Sequence, residues 1–296
     1  MIPALLEELR PKQWTKNLLL FAGVLFSQNI DKPPLVLRAA AGFAAFCLLS
    51  GTVYLLNDLK DVEDDRRHPV KRLRPIASGR LAPPVAVGAI VPLLAVVVVI
   101  AVWLGAAFAL VAGLYFIMTL AYTFGLRQQV LVDVFVIAIG FVLRAIAGVE
   151  LLRPVAPEVV LSPWLLVCTF FGALFLALAK RRRELANAAG DVAPTGQRAV
   201  LDHYTPELLD GLLLVSASAS LMSYALYTIW PDTVAKFGTE GLLYTVPFVA
   251  YGIFRYLFLV RATALTEDPA QVLLTDRPLA VCVGLYLLTV LGILYR

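Results

Sequence analysis

The chain has 296 residues, of which 60% are hydrophobic and only 16% charged, with a formal net charge of +4 and a mean hydropathy of +0.82. Soluble domains usually carry about 25% charged residues, so there is too little charge here to build a solvated surface. Disorder, a coiled coil and a disulfide scaffold are excluded on the same ground, which leaves an all-α protein that crosses a membrane many times, organised as one domain over 1–296.

The opening, MIPALLEELRPKQW, places Glu7 and Glu8 before any apolar run, which is not the pattern of a cleavable signal peptide. A membrane-crossing helix needs about 20 apolar residues. Nine segments meet or approach that length: 15–30, 37–57, 83–103, 106–125, 130–151, 162–180, 208–230, 240–260 and 278–295. The first is short and reads as irregular. Cys47, Cys168 and Cys282 all fall in these apolar runs, with no CxxC, and read as small buried hydrophobes.

With nine spans, 19 Lys and Arg residues fall on the side that holds the N-terminus and only five on the other, with Arg144 inside a span. The positive-inside rule makes the richer side cytoplasmic, and an eight-span count hardly alters the bias. The expected setting is the cell's inner (plasma) membrane, with the lipid bilayer as a partner and no nucleic acid. A homo-oligomer is left open. Two loops on the basic side stand out, at 58–82 and 181–207, four spans apart. That spacing suggests two four-helix halves and an extra ninth helix.

The first of these loops carries the chemistry. The second span ends in Tyr54-Leu-Leu-Asn57-Asp58-Leu-Lys-Asp61-Val-Glu-Asp-Asp65. Asn57, Asp61 and Asp65 are spaced i, i+4, i+8, so continued helicity puts them on one face. Like charges there repel, and they oppose the negative end of the helix dipole. A cluster unfavourable on both counts points to a cation. Oxygen-only donors favour a hard ion such as Mg²⁺, held by one or two carboxylates, waters and substrate phosphates. A solvated acidic loop is the competing reading.

A basic run follows, with Lys71, Arg72 and Arg74 before Pro75-Ile-Ala-Ser-Gly79. Carboxylates that hold a metal next to cations that hold free phosphate oxygens suit a metal–diphosphate ligand. Topology alone also calls for cations, but not in this order. His68 sits before a proline among arginines and is assigned no role.

The joint pattern NDxxDxxxD and RPIASG resembles the UbiA family of intramembrane transferases. The resemblance implies about nine helices around a central cavity and a Mg²⁺–diphosphate substrate, with Asn57, Asp58, Asp61 and Asp65 as metal-binding and catalytic residues. Most of that family carries a second DxxxD-like motif in the later loop. Here that loop reads Lys180-Arg181-Arg182-Arg183-Glu184, then Asp191, Asp202 and Asp210, with no second aspartate pair.

The stretches RPKQWTKN, HPVKRLRPIASG, LAYTFGLRQQ and FVLRAIAG are similar instead to a branch that moves 5-phosphoribose from phosphoribosyl pyrophosphate to a polyprenyl phosphate in cell-envelope synthesis. Two phosphate-bearing substrates call for many cations, and Lys16, Lys71, Arg72, Arg74, Lys180 and Arg181 are the candidates for the donor and its phosphates; Tyr54 and Tyr122 are candidates to donate to donor phosphate, with the ordinary interfacial aromatic belt as the competing reading. Arg127 and Arg144 are the candidates for the acceptor phosphate. Asp133 and Arg144 lie eleven residues apart, within about 20° around one helix. Charged groups in a span usually face a cavity, with Arg144 close to the acceptor phosphate or holding another helix, although an interhelical salt bridge or snorkelling is the equal alternative. Ordinary prenyl transfer to a small acceptor and, in a different class, a transporter or lipid-binding protein remain the competing functions.

Overall fold

The computed structural model describes residues 2–188, 199–262, 272 and 275–295. The described residues contain helices and turns and no strand. They form two compact units, 2–161 with 199–200, and 162–188 with 201–262, 272 and 275–295, and each is taken by itself.

The first unit holds α1 (Ile2–Glu8), a 3₁₀ helix (Pro11–Phe21), α2 (Ala22–Phe26), α3 (Pro33–Lys60), α4 (Val62–Arg67), α5 (Pro83–Leu104), α6 (Ala106–Phe124) and α7 (Val132–Glu150). The second holds α8 (Pro163–Ala188), α9 (Pro206–Ile229), α10 (Pro231–Phe237), α11 (Val246–Ala262) and α12 (Arg277–Leu294). Prolines open α3, α5, α9, α10 and α12, where the missing N–H costs nothing. Thr205 and Asp276 cap α9 and α12 by accepting from Leu208 N (3.2 Å) and Leu279 N (2.9 Å).

Among the described residues, eight helical segments are long and apolar enough to cross a membrane. They meet eight of the nine expected spans. The ninth expectation, a helix over 15–30, is corrected. That segment is an eleven-residue 3₁₀ helix followed by only five α-helical residues. A 3₁₀ helix rises about 2.0 Å per residue against 1.5 Å for an α-helix, so these 16 residues reach roughly 30 Å. That is about the thickness of the hydrocarbon layer; the segment is short in residues because it is stretched. Among the described residues, each unit holds four of the eight membrane-long helices, and the N-terminal stretched segment is additional to those of the first unit.

The stretched segment lies directly on the backbone of α7. A Cβ added at Gly23 would stand 2.1 Å from Gly148 O, and one at Gly148 would stand 2.3 Å from Leu20 O. Only glycine allows that approach. Gly148→Val is expected to cost about 3 kcal/mol or more by overpacking, read as a lowered melting temperature in detergent.

At the far end of the unit, buried Arg38 donates to Leu151 O (2.7 Å) and Leu104 O (2.5 Å). One cation thereby satisfies the last carbonyls of α5 and the residue that ends α7, where the helix dipoles are negative. The outer face of α5 carries Val91, Val98, Val99 and Val102, all well exposed, as a lipid-facing helix should.

The length of α3 positions the site. Its 28 residues extend about 42 Å, and roughly 20 suffice to cross the hydrocarbon. The helix is thus longer than a crossing requires, and its last turn carries Asn57 and Asp58.

Candidate metal–diphosphate site

Helicity does not run straight through the acidic motif. Asp61 ends α3 and precedes α4, as a turn residue at φ −95°, ψ 13°. The hydrogen bonds persist across it, from Asp61 N to Asn57 O (2.9 Å) and from Asp65 N to Asp61 O (2.8 Å). The break bends the acidic face and gives each carboxylate an arginine. Arg10 Nη2 donates to both Asp58 oxygens at 2.5 Å. Arg74 Nη1 bridges Asp58 Oδ1 (3.0 Å) and Asp65 Oδ2 (2.6 Å). Arg127, in the turn after α6, makes a bidentate pair with Asp61 at 2.7 and 2.8 Å.

The RPIASG stretch is the frame that holds Arg74. Ile76 is fully buried with Leu55, Leu81 and Ala86, and Ala4 and Leu5 of α1 pack against them. Gly79 turns the chain at φ +80°, and Leu81 N returns to Pro75 O (2.9 Å). Buried apolar side chains thus pin a loop whose polar groups face the acids. His68 Nδ1 accepts from Val70 N and Lys71 N, a turn-building role.

Electrostatics separate the acids. Burial pushes the Asp61 carboxyl up, but the Arg127 hydrogen bonds and charge outweigh it and leave it below its ordinary value. Asp65 is raised, because burial outweighs Arg74. Glu8, at the end of α1, is pushed up to about 8 by burial and by the neighbouring Asp58 carboxyl.

Oδ1 of Asn57 is buried with no hydrogen-bond partner, while the buried Glu8 carboxyl pairs with that of Asp58. No three His, Cys, Asp or Glu side chains among the described residues gather closely enough to hold an ion by themselves; the acids are spread over arginines instead.

The other expected residues fall in three places. Tyr54 stands under the Arg10 guanidinium at 4.7 Å. Lys16 and Tyr122 are half-buried, as is Lys71, while Arg72 is exposed. Lys180 and Arg181 belong to the second unit, where both pair with Glu184 (3.8 and 2.5 Å). The same unit has a cavity of about 520 Å³ lined by Arg182, Arg183, Asp210 and Arg261, with Asp210 bridging Arg182 and Arg261. Asp191 lies outside the described residues.

Arg144 is not turned to an open phosphate site. It is buried, and donates to Asn17 Oδ1 (2.7 Å), Gly140 O (2.9 Å) and Tyr115 Oη (2.7 Å). Asn17 in turn reaches Ser50 and Cys47. Arg144 thus ties α7 to the N-terminal 3₁₀ helix and to α6 through neutral acceptors. Sequence reasoning missed Arg10, Glu8 and Asn17. Arg10-Pro11 held a signal, since a residue before proline is pushed out of the α region, but nothing indicated which carboxylate it would meet.

A sequence profile described as the UbiA prenyltransferase family matches residues 18–275. A protein of Mycolicibacterium smegmatis named decaprenyl-phosphate phosphoribosyltransferase is 35% identical over 95% of this chain and 89% of its own length. A protein of the same name from Corynebacterium glutamicum is 36% identical over 94% of this chain and 82% of its own. The structure of a UbiA homologue from Archaeoglobus fulgidus bound to GPP and Mg²⁺ superposes with a TM-score of 0.73 at 17% identity, over 99% of this chain and 100% of that one.

Proposed function

The chain belongs to the UbiA prenyltransferase family, and from that premise we propose that it transfers 5-phosphoribose from phosphoribosyl pyrophosphate to a polyprenyl phosphate, releasing pyrophosphate, at the α3–α4 corner. The substrates are supported by 35–36% identity, over nearly the whole chain, to relatives named for decaprenyl-phosphate phosphoribosyl transfer. The chemistry is supported by the balance of the corner. Asp58, Asp61 and Asp65 are matched by Arg10, Arg74 and Arg127, so the acids can pass to a metal while the arginines pass to phosphate.

The residues fit a hard divalent ion. The donor set is all oxygen, and Asn57 Oδ1 is buried with nothing to accept from. Asn57 and Asp61, with Asp58 or Asp65, would hold Mg²⁺, which when bound neutralises charge on the leaving diphosphate. Arg74 and Arg10, turned from their carboxylates, hold diphosphate oxygens. Lys71 and exposed Arg72 meet the 5-phosphate at the rim, and Arg127 takes the acceptor phosphate.

The C1–O bond to pyrophosphate breaks with its electron pair leaving on pyrophosphate. An oxygen of the lipid phosphate, already an anion near neutral pH, forms the new bond to C1. No side chain has to take a proton, in keeping with His68 serving a turn. The bias of 19 basic residues to five supports a corner that faces the cytoplasm across the inner membrane.

Purified protein given radiolabelled phosphoribosyl pyrophosphate, polyprenyl phosphate and Mg²⁺ is expected to yield labelled lipid and pyrophosphate. Failure to label the lipid, with consumption of prenyl diphosphate and a small acceptor in a parallel reaction, moves the chain to the prenyl-transferring branch.

A further inference from the structure

The cavity of the second unit, between the ends of α8, α9 and α11, collects charge that the proposed reaction does not use. Its volume is about 520 Å³, within the range of small-ligand sites. Arg182, Arg183 and Asn187 line it from α8, Asp210 from α9 and Arg261 from α11.

The charges there do not balance. Arg182 donates through Nε to Asp210 Oδ1 at 3.0 Å, and Arg261 Nη2 stands 3.6 Å from Asp210 Oδ2. Two guanidiniums thus share one carboxylate, and the longer contact exceeds hydrogen-bond distance. Less than two turns earlier, α11 shows the settled arrangement: Arg255 meets both oxygens of Asp276, through Nε (3.2 Å) and Nη2 (2.8 Å). Arginine stays charged at any physiological pH. The group around Asp210 therefore carries one positive charge in excess, and Arg183 lines the same cavity.

Placement narrows the anion. Arg182 lies in the last two turns of α8, Asp210 in the second turn of α9, and Arg261 one residue before the end of α11. Each borders an apolar run, at 174–179, 212–215 and 257–260. The cavity is built where three apolar stretches give way to charge, the boundary at which lipid phosphates lie, and basic pockets between membrane helices hold such headgroups. Topology asks only for positive charge at helix ends. It does not ask for guanidiniums from two helices to converge on one cavity, where their planar forks suit the several oxygens of a phosphate.

We propose that the α8–α9–α11 cavity is a binding site for a phosphate ester, carried by a membrane lipid or by a soluble compound, with Arg182 and Arg261 as its ligands. Asp210 is the internal counter-ion that holds the two arginines until the phosphate replaces it. The inference does not depend on the transfer proposed above.

Two arms with the purified full chain test it and distinguish the sources. In one, native mass spectrometry counts the lipid retained from micelles that mix phosphatidylglycerol with phosphatidylcholine, whose choline cation the arginines repel. In the other, binding of radiolabelled inorganic phosphate is measured in lipid-free detergent. Retention of phosphatidylglycerol at least tenfold over phosphatidylcholine identifies a lipid headgroup; binding in the second arm alone identifies a soluble ester. In the arm that shows binding, Arg261→Gln, a change at an exposed side chain, is expected to weaken it about tenfold, the loss of one hydrogen-bonded charge. Asp210→Asn is expected to tighten it, because the competing carboxylate is gone, whereas a purely structural ion pair would leave binding unchanged. If neither arm separates the native chain from Arg261→Gln, the inference fails.

Discussion

Asp61→Asn is expected to lower turnover at least 100-fold and to weaken Mn²⁺ binding, with the fold retained. The substitution keeps shape but removes the anionic oxygen best placed to stay ionised, since Arg127 holds that carboxyl below its ordinary value. Metal stabilisation of a leaving diphosphate is worth several kcal/mol, and each 1.36 kcal/mol is about tenfold in rate. Losing one ligand at about 3 kcal/mol gives the expected factor.

A rival account makes Asp61 merely the partner of Arg127, with turnover lost because an unpaired arginine blocks the site. The double variant Asp61→Asn/Arg127→Gln separates the two. A metal role predicts that the double variant is no faster than the single one, and slower still because Arg127 also serves the acceptor phosphate. A blocking arginine predicts recovery. Steady-state rates over a Mg²⁺ titration decide between them.

The crossings were legible because lipid demands long apolar helices with internally satisfied backbones, and composition reports that directly. The 3₁₀ stretch over Pro11–Phe21 was not legible as such. Its apolar residues read only as a span too short, because rise per residue leaves no mark on composition. The acidic motif was legible in residue identity and in its place after the second span. Its pairing was not. Arg127 is 66 residues from Asp61 and Arg10 is 48 from Asp58, and which arginine meets which acid depends on how the N-terminal segment, α3 and the turn after α6 are brought together. Glu8 was illegible for a further reason: a glutamate after another glutamate in a short N-terminal helix looks like surface, and only the packing of Leu9 on Gly51 turns it inward.

Arg144 separates a structural cation from a catalytic one. Arg144→Met is expected to destabilise the substrate-free protein by about 3 kcal/mol, as hydrogen bonds to a charged group are worth about 1.5–3 kcal/mol each. Part of that is offset by relief of the buried charge. Asn17 Oδ1 and the hydroxyl of Tyr115 would lose their donor in the interior, and the N-terminal 3₁₀ helix would lose its polar tie to α7. For a unit of this size the melting temperature should fall by roughly 6–12 °C. If Arg144 instead served the acceptor phosphate, the same substitution would leave the substrate-free melting temperature in place and raise KM for the lipid. Melting in detergent without substrates, set beside KM for polyprenyl phosphate in the surviving protein, distinguishes the two. The geometry favours the first outcome, because three of the guanidinium's contacts are already made within the protein and its ring neighbours, Tyr115 and Phe141, stand at 4.6 and 5.2 Å.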